Sequence, residues 1–228
     1  TVYAITYQLY GGINNGDNPP TYTIETATIT FSEPSRAGYY FAGWFLEDSF
    51  DTMEHTIEHG SHGAIMLHAK WNVLYQIGNH VPSPGGIVFY DNVAYDYRVD
   101  QWRYLAAMEM DIPGTVEWIA FNPTYDDDEF RLVGGTSEDI GTGYENSQRM
   151  LDKADFRNSA ANACIGVDGN EAWHLPSRYE LDKVYKNLYL NPMIVTNFQV
   201  AVYWSSSEQA LDLAWSQSFA TGAQTASP

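Results

Sequence analysis

Four histidines, His55, His59, His62 and His68, fall within fourteen residues, and clustered imidazoles raise the question of a metal site. The i, i+4 spacing of His55 and His59 would suit one face of a helix. Gly60 and Gly63 argue instead for a solvated loop, and no metal is assigned there. A second cluster, Asp126, Asp127, Asp128 and Glu129, offers the oxygen donors that calcium takes from loops. The EF-hand spacing is absent and an acidic surface loop is the plainer reading, so no cofactor is assigned and calcium is kept as the alternative. His174 could act as a base for Ser177 or for Ser205, Ser206 and Ser207. Ser177 already reads as a helix cap, His174 has no orienting acid in view and no G-x-S-x-G elbow is present, so the chain is expected not to be an enzyme. The lone Cys164, in the Ala-rich run ANACIG, reads as a packed thiol.

The elements that would position these groups centre on Trp173–Phe219: WHLPS, a short helical run, YWSSSE and AWSQSF. Ser177-Arg178-Tyr179-Glu180 is a capping box after Pro176, and Leu181, Val184, Tyr185 and Leu188 share one helical face. NSQRMLDKADFRNSAANACIG (146 to 166) has a second helical pattern ending at Gly166. VAVYWSSSE (200 to 208) and LAWSQSFATG (213 to 222) read as strands joined by the loop EQALD. Alternation puts Tyr203, Ser205 and Ser207 on one side and Trp204 and Ser206 on the other, with Trp204 directed to the core and Trp173 and Trp215 at least in part so.

Upstream, YAITYQLY (3 to 10), TYTIETATITF (21 to 31), YYFAGWF (39 to 45) and AIMLHAKW (64 to 71) alternate as strands. NVLYQIGNHVPSPGG (72 to 86) is the expected junction between domains. GIVFYDN and WRYLAAMEM follow as short strands, and 111 to 145 reads as mostly loop, anchored by Trp118 and Phe121. At 228 residues the chain has room for two domains. Its 29 acidic and 11 basic residues give a net charge of -18, which opposes nucleic-acid and anionic-membrane partners. No run reaches the roughly twenty apolar residues of a membrane span. Opening on a strand pattern without Met, the chain reads as a mature or trimmed form. Its 17 Tyr, 7 Trp and 18 Gly fit a compact extracellular β protein.

ITYQLYGG, EPSRAGYYFAGWFLEDSF and LHAKW resemble the internalin B-type (Listeria/Bacteroides) repeat, a small β-grasp-like module of extracellular bacterial proteins. Pro34, Arg36, Gly38, Tyr39, Phe41, Gly43 and Trp44 carry its core, while EHTIEHGSHG (54 to 63) departs from its usual strand connection. GGIVFYDN, WRYLAA, VGGTSEDIGTGYEN, AWHLPSRYELDKVYKNL, YWSSSE and AWSQSF, in that order, resemble the Lcl C-terminal-like domain family. That resemblance implies a C-type-lectin-like fold and, by analogy with members diversified by retroelements, a variable surface after YWSSSE. Carried over, the surface comprises Gln209, Leu211, Asp212, Trp215, Ser216, Ser218, Ala220, Thr221, Gln224 and Thr225. The family's closing strand of the R-x-R-P-V-R-x-F type has no counterpart before Pro228, which implies either truncation or another mode of closure.

The expectation is therefore an α+β chain: residues 1–72 as a β-grasp-like repeat, and 73–228 as a C-type-lectin-like domain with two helices and short antiparallel sheets. The expected protein is secreted or displayed on a bacterial surface and binds a protein or glycan without covalent chemistry. It neither inserts in a membrane nor binds nucleic acid. The alternative is a structural stalk component with no dedicated ligand.

Overall fold

The computed structural model describes residues 1–83, 85–99, 102–119, 132–153, 159–165, 167 and 172–228. These form an α+β structure that is mostly β. The acidic run 126 to 129, Phe121 and Gly166 lie outside the described residues. The chain divides into two compact units: Thr1–Tyr75 with Asn92–Arg103, and Gln76–Asp91 with Tyr104–Pro228.

The first unit is built on a four-stranded mixed sheet, ordered β2-β1-β6-β4, from β1 (Tyr3–Gln8), β2 (Thr21–Tyr22), β4 (Tyr39–Phe45) and β6 (Ile65–Val73). β1 runs parallel to β6, and β4 antiparallel to it. A separate pair joins β3 (Ile29–Thr30) to β5 (Thr56–Ile57). The long strand expected over 21 to 31 is thus only two short ones. Thr23 and Thr26 explain the break: the Thr26 hydroxyl accepts from the Thr23 backbone N–H and the Thr26 N–H donates to the Thr23 carbonyl, closing a local turn that competes with the ladder.

Gly43 organises the core of this unit. A register shift between Phe41 and Gly43 pairs Phe41 with Trp71 and Trp44 with Ala69, two positions on one face of β6. The extra residue of this β-bulge therefore turns both Phe41 and Trp44 inward, where their rings meet at 5.2 Å. Trp44 is wholly buried, and Tyr97 packs on Phe41 at 5.0 Å. Gly43 has φ +128°, and an added Cβ would come within 3.3 Å of Phe45, Met53 and Tyr97.

In the second unit β7 (Ile87–Asp91) and β8 (Tyr104–Ala107) form an antiparallel pair. A three-stranded antiparallel sheet, ordered β11-β10-β9, is built from β9 (Val202–Ala210), β10 (Leu213–Ser218) and β11 (Gln224–Ser227). The helices are α1 (Gly143–Asp152), α2 (Ala160–Cys164) and α3 (Arg178–Val184), the last continuing into a π-helical turn, Tyr185–Tyr189. The expected 146 to 166 helix is thus two helices, the first beginning at Gly143. The expected five-residue loop is a tight turn at Leu211-Asp212, with Asp212 at φ 57°, a conformation Asp tolerates. β11 is an additional strand that the alternation does not separate from the tail.

The sheet has a core on each face. Ile87, Phe89, Leu181, Val184, Tyr185, Leu188 and Phe219 form one, with Tyr203 against it. Trp118, Val133, Met150, Ala160, Ala161, Leu175 and Ala214 form the other, with Trp204 against it. Successive β9 residues thus enter opposite cores, and Ser205, Ser206 and Ser207 are all fully buried between them. Gly43→Ala should lower stability to urea by about 2–3 kcal/mol, against about 1 kcal/mol for Gly38→Ala, which has positive φ (78°) but open space around it. Equal losses would contradict the bulge account.

Candidate binding surface

The second unit is held by carboxylates that accept hydrogen bonds from backbone amides. Glu180, 1 % exposed, accepts from the N–H of Gly141 (2.7 Å) and Gly143 (3.4 Å) through Oε1, and from that of Ser177 (2.8 Å) through Oε2. The Ser177 bond completes the predicted capping box. The Gly141 and Gly143 bonds tie the Gly-rich segment to α3. Gly143 is required: a Cβ there would overlap Glu180 Oε2 and His174. Glu208 on β9 grips the same segment further upstream, accepting from the N–H of Val133 (2.9 Å) and Gly134 (2.8 Å).

Hydroxyls and amides complete the attachment. Ser207 Oγ donates to the Ser137 carbonyl and accepts from the Arg178 N–H, while Ser177 Oγ donates to the Asp139 carbonyl. Asn146 both accepts from the Ser137 N–H and donates to its carbonyl, and its Nδ2 also reaches Ser206 Oγ. Arg178 links three segments: Nη1 pairs with Glu138 at 2.8 Å, Nε donates to Gln224 Oε1 at 2.9 Å, and the guanidinium lies 3.5 Å from the Trp215 ring centre. Gln224 returns a bond to the Arg178 carbonyl.

These commitments decide what the hydrolytic candidates can do. Ser177, Ser205 and Ser207 donate to backbone carbonyls and Ser206 accepts from Asn146, so none is hydrogen-bonded to His174. His174 does have an acid beside it, contrary to the sequence reading: its Nε2 lies 3.9 Å from Glu180 Oε2, while Nδ1 contacts the Ala172 carbonyl at 2.9 Å. Three amides already occupy that carboxylate, so it serves the fold at this position. His68 is separated from the other histidines on β6, its Nδ1 2.6 Å from the Tyr10 hydroxyl, while His55, His59 and His62 lie in turns or coil. Among the described residues no group of three or more His, Cys, Asp or Glu is placed to hold a metal. Burial pushes the Cys164 thiol up to about 12, which keeps it protonated.

The ten residues expected to bind ligand do not form one patch. Gln209, Leu211 and Asp212 are exposed around the β9–β10 turn, and Ala220 and Thr221 are exposed in the β10–β11 turn. Those turns cap opposite ends of β10, whose six residues span roughly 20 Å. Thr225 is exposed on β11, between them. Ser216 is 1 % exposed, with its Oγ bonded to the Thr225 carbonyl and Ser227 Oγ. Gln224 is tied to Arg178, Ser218 is half-buried opposite Val202, and Trp215 is half-buried beneath Arg178. The indole N–H of Trp215 is buried without a hydrogen-bond partner. Burial of Ser216 follows from strand pairing: β11 lies beside β10, and the hydroxyls of Ser216, Thr225 and Ser227 meet on one face.

Arg178, Glu208 and Glu138 were not singled out from sequence as anchoring residues. Arg178 was visible only as part of the capping box; its partners lie 40 and 46 residues away.

Residues 3–70 match the family model of the Listeria-Bacteroides repeat domain, which fits a surface-associated bacterial protein. Neither a curated protein nor a solved structure matches the chain. Among the described residues no helix is long and apolar enough to cross a membrane.

Replacing Glu180 by Gln swaps one acceptor oxygen for a donor that faces backbone N–H groups. Glu180→Gln should therefore cost about 3 kcal/mol in chemical denaturation, and Gln209→Ala, at an exposed position near the end of β9, less than about 0.5 kcal/mol. A Glu180→Gln loss as small as that of Gln209→Ala would contradict the assigned role.

Proposed function

We propose that the protein is displayed on, or secreted from, a bacterial surface, with the repeat-type unit as a spacer. The second unit is then a C-type-lectin-like domain that holds a protein or glycan without covalent chemistry. One observation carries this reading: a sheet buried on both faces presents exposed side chains at its turns and on its edge strand. Gln209, Leu211, Asp212, Ala220, Thr221 and Thr225 are the exposed members of the set, at turns and on an edge strand, where side chains vary at least cost to the fold. Ser216, Ser218, Gln224 and Trp215 belong to the frame, and the proposed ligand-contacting set narrows accordingly. Ser177, Ser205 and Ser207 donate to backbone carbonyls and Ser206 accepts from the Asn146 side chain, which favours binding over turnover.

A second reading, a stalk component without a ligand, rests on the repeat match at 3–70. A reverse transcriptase and an imperfect repeat of the DNA for 203 to 228 at the encoding locus would support diversification of the surface.

The test compares the parent with Gln209→Lys/Leu211→Lys/Thr225→Lys on a printed glycan array and on cultured epithelial cells. The binding reading expects parental signal on at least one support and a loss of tenfold or more in the variant at unchanged melting temperature. Unchanged variant binding would contradict the site, and absence of parental binding to either support would favour the stalk.

A further inference from the structure

The first unit holds a reactive pair that nothing assigned so far uses: Asn15-Gly16, the one Asn–Gly step in the sequence. The side-chain carbonyl carbon of an asparagine can be attacked by the next backbone nitrogen, and a following glycine leaves that nitrogen unshielded by any Cβ. The fold sets both groups out for this step. Asn15 opens a turn in which its carbonyl accepts from the Asn18 N–H at 3.2 Å. Gly16 and Asp17 are exposed, and among the described residues no hydrogen bond engages the Gly16 N–H. Asn15 Oδ1 accepts from the Asp17 N–H at 3.0 Å, and its Nδ2 donates to the Glu33 carbonyl at 3.2 Å. The side chain is therefore folded back along the Gly16 peptide, with a donor already on the oxygen where negative charge develops.

The backbone does not require glycine at 16. Gly16 lacks the positive φ of Gly11, Gly38 and Gly43, and an added Cβ would meet nothing within 4 Å. By contrast, a Cβ on nearby Gly12 would run into the Trp71 ring at 2.5 Å. What the missing side chain at 16 does is leave the amide nitrogen open to its neighbour.

We infer that Asn15 is a self-modification site, which deamidates through a succinimide and loosens the loop it anchors. Solvent hydroxide takes the Gly16 N–H proton, and the nitrogen's electron pair forms a bond to Asn15 Cγ. The oxyanion on Oδ1 collapses, the Cγ–Nδ2 bond breaks, and Nδ2 takes a proton from water and leaves as ammonia. Water then opens the ring at either carbonyl, giving aspartate or iso-aspartate at 15. The net change is one water consumed and one ammonia released, with no oxidation and one new negative charge. The product loses the donor to the Glu33 carbonyl and sets a carboxylate against it. Beside that contact the Asn18 side chain ties the same loop to the Ser32 N–H (2.7 Å) and carbonyl (2.9 Å). Iso-aspartate also lengthens the main chain within the turn. Modification therefore releases 13–18 from 32–35, a slow and irreversible change in the repeat-type unit.

Peptide mapping by mass spectrometry of the full chain, aged in mildly alkaline buffer, tests the inference. Asn15 should convert at least tenfold faster than Asn14, Asn18 or Asn146, with iso-aspartate among the products. The folded chain should convert at least as fast as the chain in urea, because the turn presents the reacting groups. Gly16→Ala, which the open space admits, should keep the parental melting temperature and slow conversion at least tenfold. Asn15→Asp should melt at a lower temperature than Gly16→Ala and speed hydrogen exchange at the Ile13 and Ser32 amides, which bond the Ser35 carbonyl and Asn18 Oδ1. Conversion at Asn15 no faster than at Asn14 and Asn18, a folded chain slower than the unfolded one, a Gly16→Ala chain of parental rate, or unchanged exchange in Asn15→Asp would each overturn it.

Discussion

A carboxylate withdrawn from water must recover its solvation from the protein, and Glu180 recovers it from three backbone N–H groups. The second unit depends on that exchange. One of its amides belongs to the start of α3, and the other two belong to Gly141 and Gly143, so a single buried side chain fixes both where the helix begins and where the Gly-rich segment runs. Glycine is demanded at 143 because the carboxylate and the His174 ring occupy the space of a Cβ. Glu208 repeats the device at Val133 and Gly134. A segment with little regular structure is thereby tied to the helix and the sheet beside it.

The same economy of polar groups governs the sheet. Tyr203 and Trp204 face opposite cores, so the serines that follow lie between two apolar layers and must satisfy their hydroxyls internally. Ser205 bonds the Trp215 carbonyl, Ser206 accepts from Asn146 and Ser207 bridges the Ser137 carbonyl and the Arg178 N–H. Small hydroxyl residues suit this position because they cross-link strand, helix and loop in little volume. What reaches solvent is the rim, at the turns and on β11. In the first unit an analogous local irregularity, the bulge at Gly43, lets Phe41 and Trp44 share one core.

Much of this was legible where the signal is local. The capping box, the buried face Leu181–Leu188, the strands around Phe41, and β9 and β10 all follow from spacing. The failures have physical causes. TYTIETATITF alternates like a strand, but its threonines bond their own backbone and fold a turn. Ser216 enters the expected ligand set through the resemblance, and its burial rests on the pairing of β11 beside β10, which alternation does not report. The role of Glu180 beyond its cap was invisible because its further partners are backbone amides some forty residues earlier, which have no side-chain signature. The split of the expected ligand residues between the two ends of β10 needed the register of the sheet.

The central claim, that Glu180 holds the Gly-rich segment through its backbone amides, is tested most directly by native-state hydrogen exchange resolved to single amides. In the parent the Gly141 and Ser177 N–H groups should be protected to nearly the extent of the β10 core. Glu180→Gln should release Gly141 and Ser177 by at least tenfold more than it releases the Phe41 and Trp44 amides of the first unit. Equal protection of Gly141 in parent and variant, measured under conditions where both are folded, would contradict the account.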